Sequence, residues 1–142
     1  MTDARLRILA IVLAVAGLVV AAYLTYVHYA DAEAVCVGGG GACERVQTSE
    51  YAKLAGIPVA VLGLTGYGAI AVASLLRGER AILAASTLAL GGAGFSAYLT
   101  YLELFVIDAI CQWCVASAVL MTALAIVATA RLLRLDAARG AG

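Results

Sequence analysis

Apolar residues in this chain come in long unbroken runs, not in alternating or single-faced stripes. Four runs carry no charged residue: Ile8–Val27, Ile57–Leu76, Ala81–Leu102 and Ala109–Ala130. Each holds about the 20 residues that a helix needs to cross the hydrocarbon core of a bilayer. A spanning segment must satisfy its own backbone hydrogen bonds, so each run is read as a helix. The spans drawn from them cover about residues 8–29, 57–76, 81–105 and 109–130 of a single unit, 1–142. Between them lie one long polar loop, residues 30–56, and a tight turn near Gly78.

Composition agrees with lipid as the solvent. Of 142 residues, 65% are hydrophobic and 13% charged, against roughly half and a quarter in soluble domains. The formal net charge is zero, which implies neither nucleic acid nor an anionic surface as partner. Basic residues are nevertheless unevenly placed. Arg5, Arg7, Arg77, Arg80, Arg131, Arg134 and Arg139 flank the spans on one side, and only Arg45 and Lys53 fall on the other. The positive-inside rule then puts both termini in the cytoplasm and the 30–56 loop outside. The expected fold is an all-α integral membrane four-helix bundle with a cysteine-bearing extracytoplasmic loop.

The first run invites a second reading, a cleaved signal peptide ending near Ala30-Asp31-Ala32 or Ala32-Glu33-Ala34. It is longer than the 7–15 apolar residues typical of such leaders. Its segment Ala22-Tyr23-Leu24-Thr25-Tyr26 also recurs as Ala97-Tyr98-Leu99-Thr100-Tyr101. Two retained spans sharing a packing face account for that recurrence. A lipoprotein site at Cys36 is disfavoured by Val35, which is not the small residue such sites need.

The chemistry lies in four cysteines. Cys36 and Cys43 sit in the long loop, and Cys111 and Cys114 form Cys111-Gln112-Trp113-Cys114 at the start of the fourth span. The loops after the first and third spans share one side of the bilayer, so all four thiols gather at one end of the bundle. Three-residue spacing on a helix brings both sulfurs to one face. A helix N-terminus favours the thiolate, the attacking species, and Asp108 is the expected N-cap. With the span running inward, Cys114 lies about 4.5 Å deeper than Cys111. That leaves Cys111 within reach of a loop cysteine and Cys114 nearer a ligand in the bundle. Gly38–Gly41 lie between the loop cysteines, a tether suited to a thiol that exchanges partners. A static bridge closing the loop is the competing reading. Zinc is a further rival, but the six-residue glycine spacer is looser than usual half-sites, and no metal is expected. Val115 stands where covalent haem attachment needs histidine.

The chain resembles the vitamin K epoxide reductase family, in particular its bacterial thiol-oxidising members. The resemblance is carried by Cys36 and Cys43, Ser49, Leu54-Ala55-Gly56-Ile57-Pro58-Val59 with Gly63, Ala97-Tyr98-Leu99-Thr100-Tyr101, and the Cys111–Cys114 motif in that order. It implies a four-helix bundle enclosing a quinone, ubiquinone or menaquinone, in a bacterial inner membrane. It further implies redox disulfides Cys36–Cys43 and Cys111–Cys114 and a transient Cys43–Cys111 bridge. On this likeness Cys36 meets a partner's cysteine, Cys43 passes electrons to Cys111, and Cys114 faces the quinone. Ser49 falls on a loop helix that the family lays along the membrane. Ala118 stands where vertebrate members carry tyrosine, which puts epoxide reduction in doubt. With no fused thioredoxin-like domain in the sequence, a separate thioredoxin-like thiol oxidase is the expected partner.

Further candidates sit near the outer span ends. Aligning the repeated segments puts His28 opposite Glu103, either anchors at the interface or a proton relay. Tyr26, Phe95, Tyr98 and Tyr101 recur at helical spacing and are candidates to flank the quinone ring, with core packing or an interface belt as the plainer role. Gly63, Gly66, Gly91, Gly92 and Gly94 are read as close helix contacts. Two functions follow: a thiol oxidoreductase feeding quinone, or a non-enzymatic small membrane protein or transporter with structural disulfides. The transporter reading lacks the mid-span charge it needs.

Overall fold

The computed structural model describes residues 2–30, 53, 54 and 56–142. Four helices form the bundle: α1 (Asp3–Tyr29), α2 (Val59–Leu75), α3 (Glu79–Leu102) and α4 (Gln112–Gly140). Each packs against its two neighbours in a ring, α1 on α2, α2 on α3, α3 on α4 and α4 back on α1. Helix α1, helix α3 with its extension to Ile107, and helix α4 are long and apolar enough to cross a membrane; α2, at 17 residues, is shorter. At 1.5 Å per residue α2 spans about 25 Å, the low end of what crosses a bilayer.

The second span begins later than its apolar run suggests. Ile57 and Pro58 pair antiparallel with Lys53 and Leu54 in a hairpin of two residues per strand (β1, Lys53–Leu54; β2, Ile57–Pro58). Gly56, at φ +84°, supplies the left-handed turn between them. Pro58 then stands just before the first turn of α2, where its missing N–H costs no helix hydrogen bond.

Small residues set how closely the helices approach. The buried stripe of α1 is Leu6, Ala10, Ala14, Gly17, Ala21, Leu24 and Val27, spaced by three and four. Within a bilayer, packing of small faces replaces hydrophobic burial as the driving force. Gly63 contacts Ala21 and Gly92 faces Met121, as close-contact glycines should, whereas Gly66, Gly91 and Gly94 have open space at the Cβ position. The tightest contact is at Gly17, against the ring of Tyr67. Ser86 Oγ donates to the Ala128 carbonyl at 2.8 Å, joining α3 to α4.

Among the described residues the ion pairs lie at one end. Arg7 donates to the carbonyls of Ser74 (2.9 Å) and Leu75 (2.6 Å), closing the C-terminus of α2. Arg131, buried, pairs with Asp3 at 3.1 Å, and Arg139 pairs with Glu79. The start of α1, the α2–α3 turn and the end of α4 therefore meet, as the parity of four spans requires.

Candidate functional site

The opposite end is built around the junction of α3 and α4. Helix α3 does not stop at Leu102 but widens into a π-helical turn, Glu103–Ile107. Asp108 closes it in the left-handed conformation, φ 55° and ψ 32°, and the Ala109 N–H donates back to the Glu103 carbonyl at 3.2 Å. The chain then runs extended through Cys111, which is the N-cap residue of α4 (φ −90°, ψ 118°). This corrects the expectation for Asp108: it ends the preceding turn and does not cap α4. Cys111 accordingly stands at the mouth of the helix and Cys114 in its first turn.

Glu103 takes the capping role from across the junction. Its Oε2 accepts the Cys111 N–H at 3.2 Å, filling the place that a glutamate in the first turn fills in a capping box. Glu103 is only 4% exposed, and a carboxylate so placed must find donors. Cys114 lines the same cavity as Glu103. Cys111, at 0% exposure, packs with Ala109, Ile107 and Trp113. Trp113 lies 4.8 Å from the Tyr23 ring, centroid to centroid, and so ties this junction to α1.

Beneath the junction is a cavity of about 190 Å³. Its walls run from His28, Pro58, Glu103 and Cys114 at the thiol end to Ile70, Gly92 and Met121 deeper in the bundle. Cys114 faces it and Cys111 does not, consistent with the expected difference in depth. The lining is predominantly aliphatic, with Phe95 on one side. Tyr67, fully buried, crosses the wall to bond the Ser117 carbonyl (2.7 Å) and share a hydrogen bond with Ser117 Oγ (3.0 Å).

The expected residues divide clearly. Cys114, Glu103, His28 and Phe95 line one cavity, and the Cys111 N–H donates to Glu103. Tyr26, Tyr98 and Tyr101 do not line it; all three are more than half exposed on the outside of the bundle. The α1 stripe through Leu24 and Val27 turns Tyr26 outward, while Tyr98 and Tyr101 pair with Phe95 and Phe105. Cys36, Cys43 and Ser49 lie outside the described residues. Tyr67 and Ser117 escaped the sequence reading. Ser117 stands three residues after Cys114, hence on the same helix face, and that spacing was the available signal.

The chain matches the vitamin K epoxide reductase family over residues 8–129, which takes in most of every helix. It is also 41% identical over 58 residues to the thiol-disulfide oxidoreductase LTO1 of Arabidopsis thaliana, a match covering 41% of this chain and 15% of that protein. The chain thus corresponds to a small part of that relative's length. A four-helix bundle, a cysteine pair at the mouth of its last helix and a match running through all four helices make one conclusion: the chain belongs to the vitamin K epoxide reductase family.

Proposed function

We propose that this protein is a membrane thiol:quinone oxidoreductase that re-oxidises a thioredoxin-like partner for disulfide bond formation. The observation that carries the reading is the position of Cys114: on the wall of an apolar cavity that Glu103 also lines, in the first turn of the helix that Cys111 caps. Family membership and the likeness to a thiol-disulfide oxidoreductase support the thiol half. The cavity supports the quinone half. At about 190 Å³ it exceeds the ~150 Å³ that admits a benzene ring in a protein core, and its walls are apolar with a few convergent polar groups, as ring-binding sites are. Phe95, Leu99 and Met121 would hold the ring, with Ser117 and Glu103 as polar neighbours.

Quinone, when bound, supplies an acceptor for two electrons and two protons. The protein's part is thiol–disulfide exchange. In this reading Cys36 exchanges with the partner and the electrons pass to Cys43. Cys43 then attacks the Cys111–Cys114 bridge at Cys111, forming a Cys43–Cys111 bond and releasing Cys114 on the cavity wall, where it takes up the proton that Cys43 gave up. Cys36 closes the cycle by attacking Cys43, which re-forms Cys36–Cys43 and leaves Cys111 reduced. Glu103 and His28 relay protons at the cavity, with Ser49 in a supporting role at the site. The loop faces the outside of a bacterial inner membrane and both termini the cytoplasm, on the placement of the basic residues. Ubiquinone and menaquinone both fit the scheme.

The test is anaerobic quinone reduction by purified protein supplied with a reduced dithiol partner. One quinol formed per disulfide supports the proposal. Partner oxidation without quinol overturns the quinone half, and no oxidation at all leaves the non-enzymatic reading in its place.

A further inference from the structure

We propose that Glu103 is the proton acceptor for the motif dithiol: its carboxylate takes the Cys114 thiol proton and leaves the thiolate facing the cavity. The inference deepens the thiol-oxidoreductase reading and rests on it. A capping role alone does not explain the arrangement. The Cys111 N–H needs one acceptor, and any polar side chain or carbonyl could provide it. What stands there is a carboxylate at 4% exposure, the costliest acceptor to bury. The same group lines the cavity together with Cys114, which stands in the first turn of the helix whose mouth Glu103 caps, so sulfur and carboxylate face one proton site.

The chain geometry holds the two together. The π-helical turn that starts at Glu103 and the left-handed Asp108 fold the α3–α4 junction back, so that residues eight apart meet at 3.2 Å. In the step itself the Cys114 S–H bond breaks and an O–H bond forms on Glu103; no electron moves and the net charge of the site does not change. Such a transfer avoids creating new charge in an apolar site, which losing the proton to water would require. Among the described residues the other titratable groups beside the pair are Cys111 at the mouth of α4, His28 on α1 and Tyr67 on α2, and no lysine or arginine lines the cavity.

The test uses the full chain in detergent with Cys36→Ser, Cys43→Ser and Cys111→Ser, so that Cys114 is the sole thiol. Its alkylation rate by iodoacetamide is followed from about pH 7 to about pH 9. With Glu103 present the proton has an internal acceptor and the rate stays nearly flat. With Glu103→Gln, which keeps a carbonyl for the Cys111 N–H but no base, the rate climbs about tenfold per pH unit, because only hydroxide removes the proton. Glu103→Asp restores the flat profile. A tenfold slope with Glu103 intact overturns the proposal by itself, whatever the variants' folding yield, and so does a flat profile in the Gln variant. Quinone takes no part in this reaction. A failure here therefore leaves thiol-to-quinone transfer standing, and a failed quinone assay leaves this measurement readable.

Discussion

Gly17 of α1 lies against the Tyr67 ring so closely that a methyl group at its Cα would come within 2.0 Å of Tyr67 Cε1. Tyr67 is held in place by its hydrogen bonds to Ser117 on the far side of the cavity, so the ring cannot simply swing away. Gly17→Ala should gain about 1 kcal/mol in helix propensity and lose more than that to overpacking, which costs about 1–3 kcal/mol. The expected outcome is a lower melting temperature in detergent and weaker quinone binding, since the displaced ring forms the cavity wall. Gly92→Ala makes the control. There the inserted methyl meets Met121 Sδ at 2.8 Å, the end of a flexible side chain that can rotate aside, and its cost should be the smaller of the two.

At the other end of the bundle, Arg131 is 5% exposed and its partner Asp3 60%. Removing a partner from a fully buried pair costs about 3–5 kcal/mol, while exposed pairs contribute about 0–1 kcal/mol. Water reaches the Asp3 side, so Asp3→Ala should destabilise by about 1 kcal/mol, measured by thermal denaturation in detergent. The Asp3→Ala, Arg131→Met pair should lose less than the sum of the two single changes. Strict additivity in that cycle would mean that the ion pair contributes nothing.

Topology is tested by thiol labelling. If the 30–56 loop faces outward, Cys36 and Cys43 should resist a membrane-impermeant maleimide in intact cells as long as they are bridged. They should label once an external reductant is added, without permeabilisation. Labelling that requires permeabilised membranes reverses the orientation drawn from the basic residues.

The proposed loop-to-motif relay requires a bond between Cys43 and Cys111. In the Cys36→Ser, Cys114→Ser variant both competing thiols are gone, and mild oxidation should trap that bridge as a peptide pair linking the loop to the start of α4. Bridging needs Cα atoms within about 7 Å, so the experiment measures reach. Two reduced thiols, or a bridge between molecules only, would mean that the loop does not deliver electrons to the motif.

Much of the fold was legible because lipid imposes simple rules. Four uncharged runs became four helices, and the basic residues grouped at one end as the parity of spans demands. The ends of the helices were less legible. Ile57 and Pro58 are apolar enough to count as span yet pair as a short strand with Lys53 and Leu54. Asp108 is a good N-cap by type, but the π-helical turn consumes it, and Cys111 becomes the cap residue instead. Periodicity carries no trace of such a widened turn, nor of the bond from Glu103 to the Cys111 N–H that accompanies it. The site was legible in its chemistry and not in its walls. Cys114 and Glu103 declared themselves by type, whereas Tyr67 sits in an apolar run where nothing marks it as buried. Tyr26, Tyr98 and Tyr101 lie on the outside of the bundle, where the plainer reading of an interface belt put them: helical spacing fixes a face but not which side that face meets.

Quinone reduction by single-cysteine variants tests the central claim most directly, that electrons leave the protein from Cys114 on the cavity wall. The donor is dithiothreitol, small enough to reduce the inner pair without the loop. Under anaerobic conditions the quinol absorbance change should proceed at close to the wild-type rate in Cys36→Ser and be abolished, a loss of at least about a thousandfold as for removal of other reacting nucleophiles, in Cys114→Ser. Continued turnover in Cys114→Ser, or equal loss in both variants, would contradict an exit through Cys114.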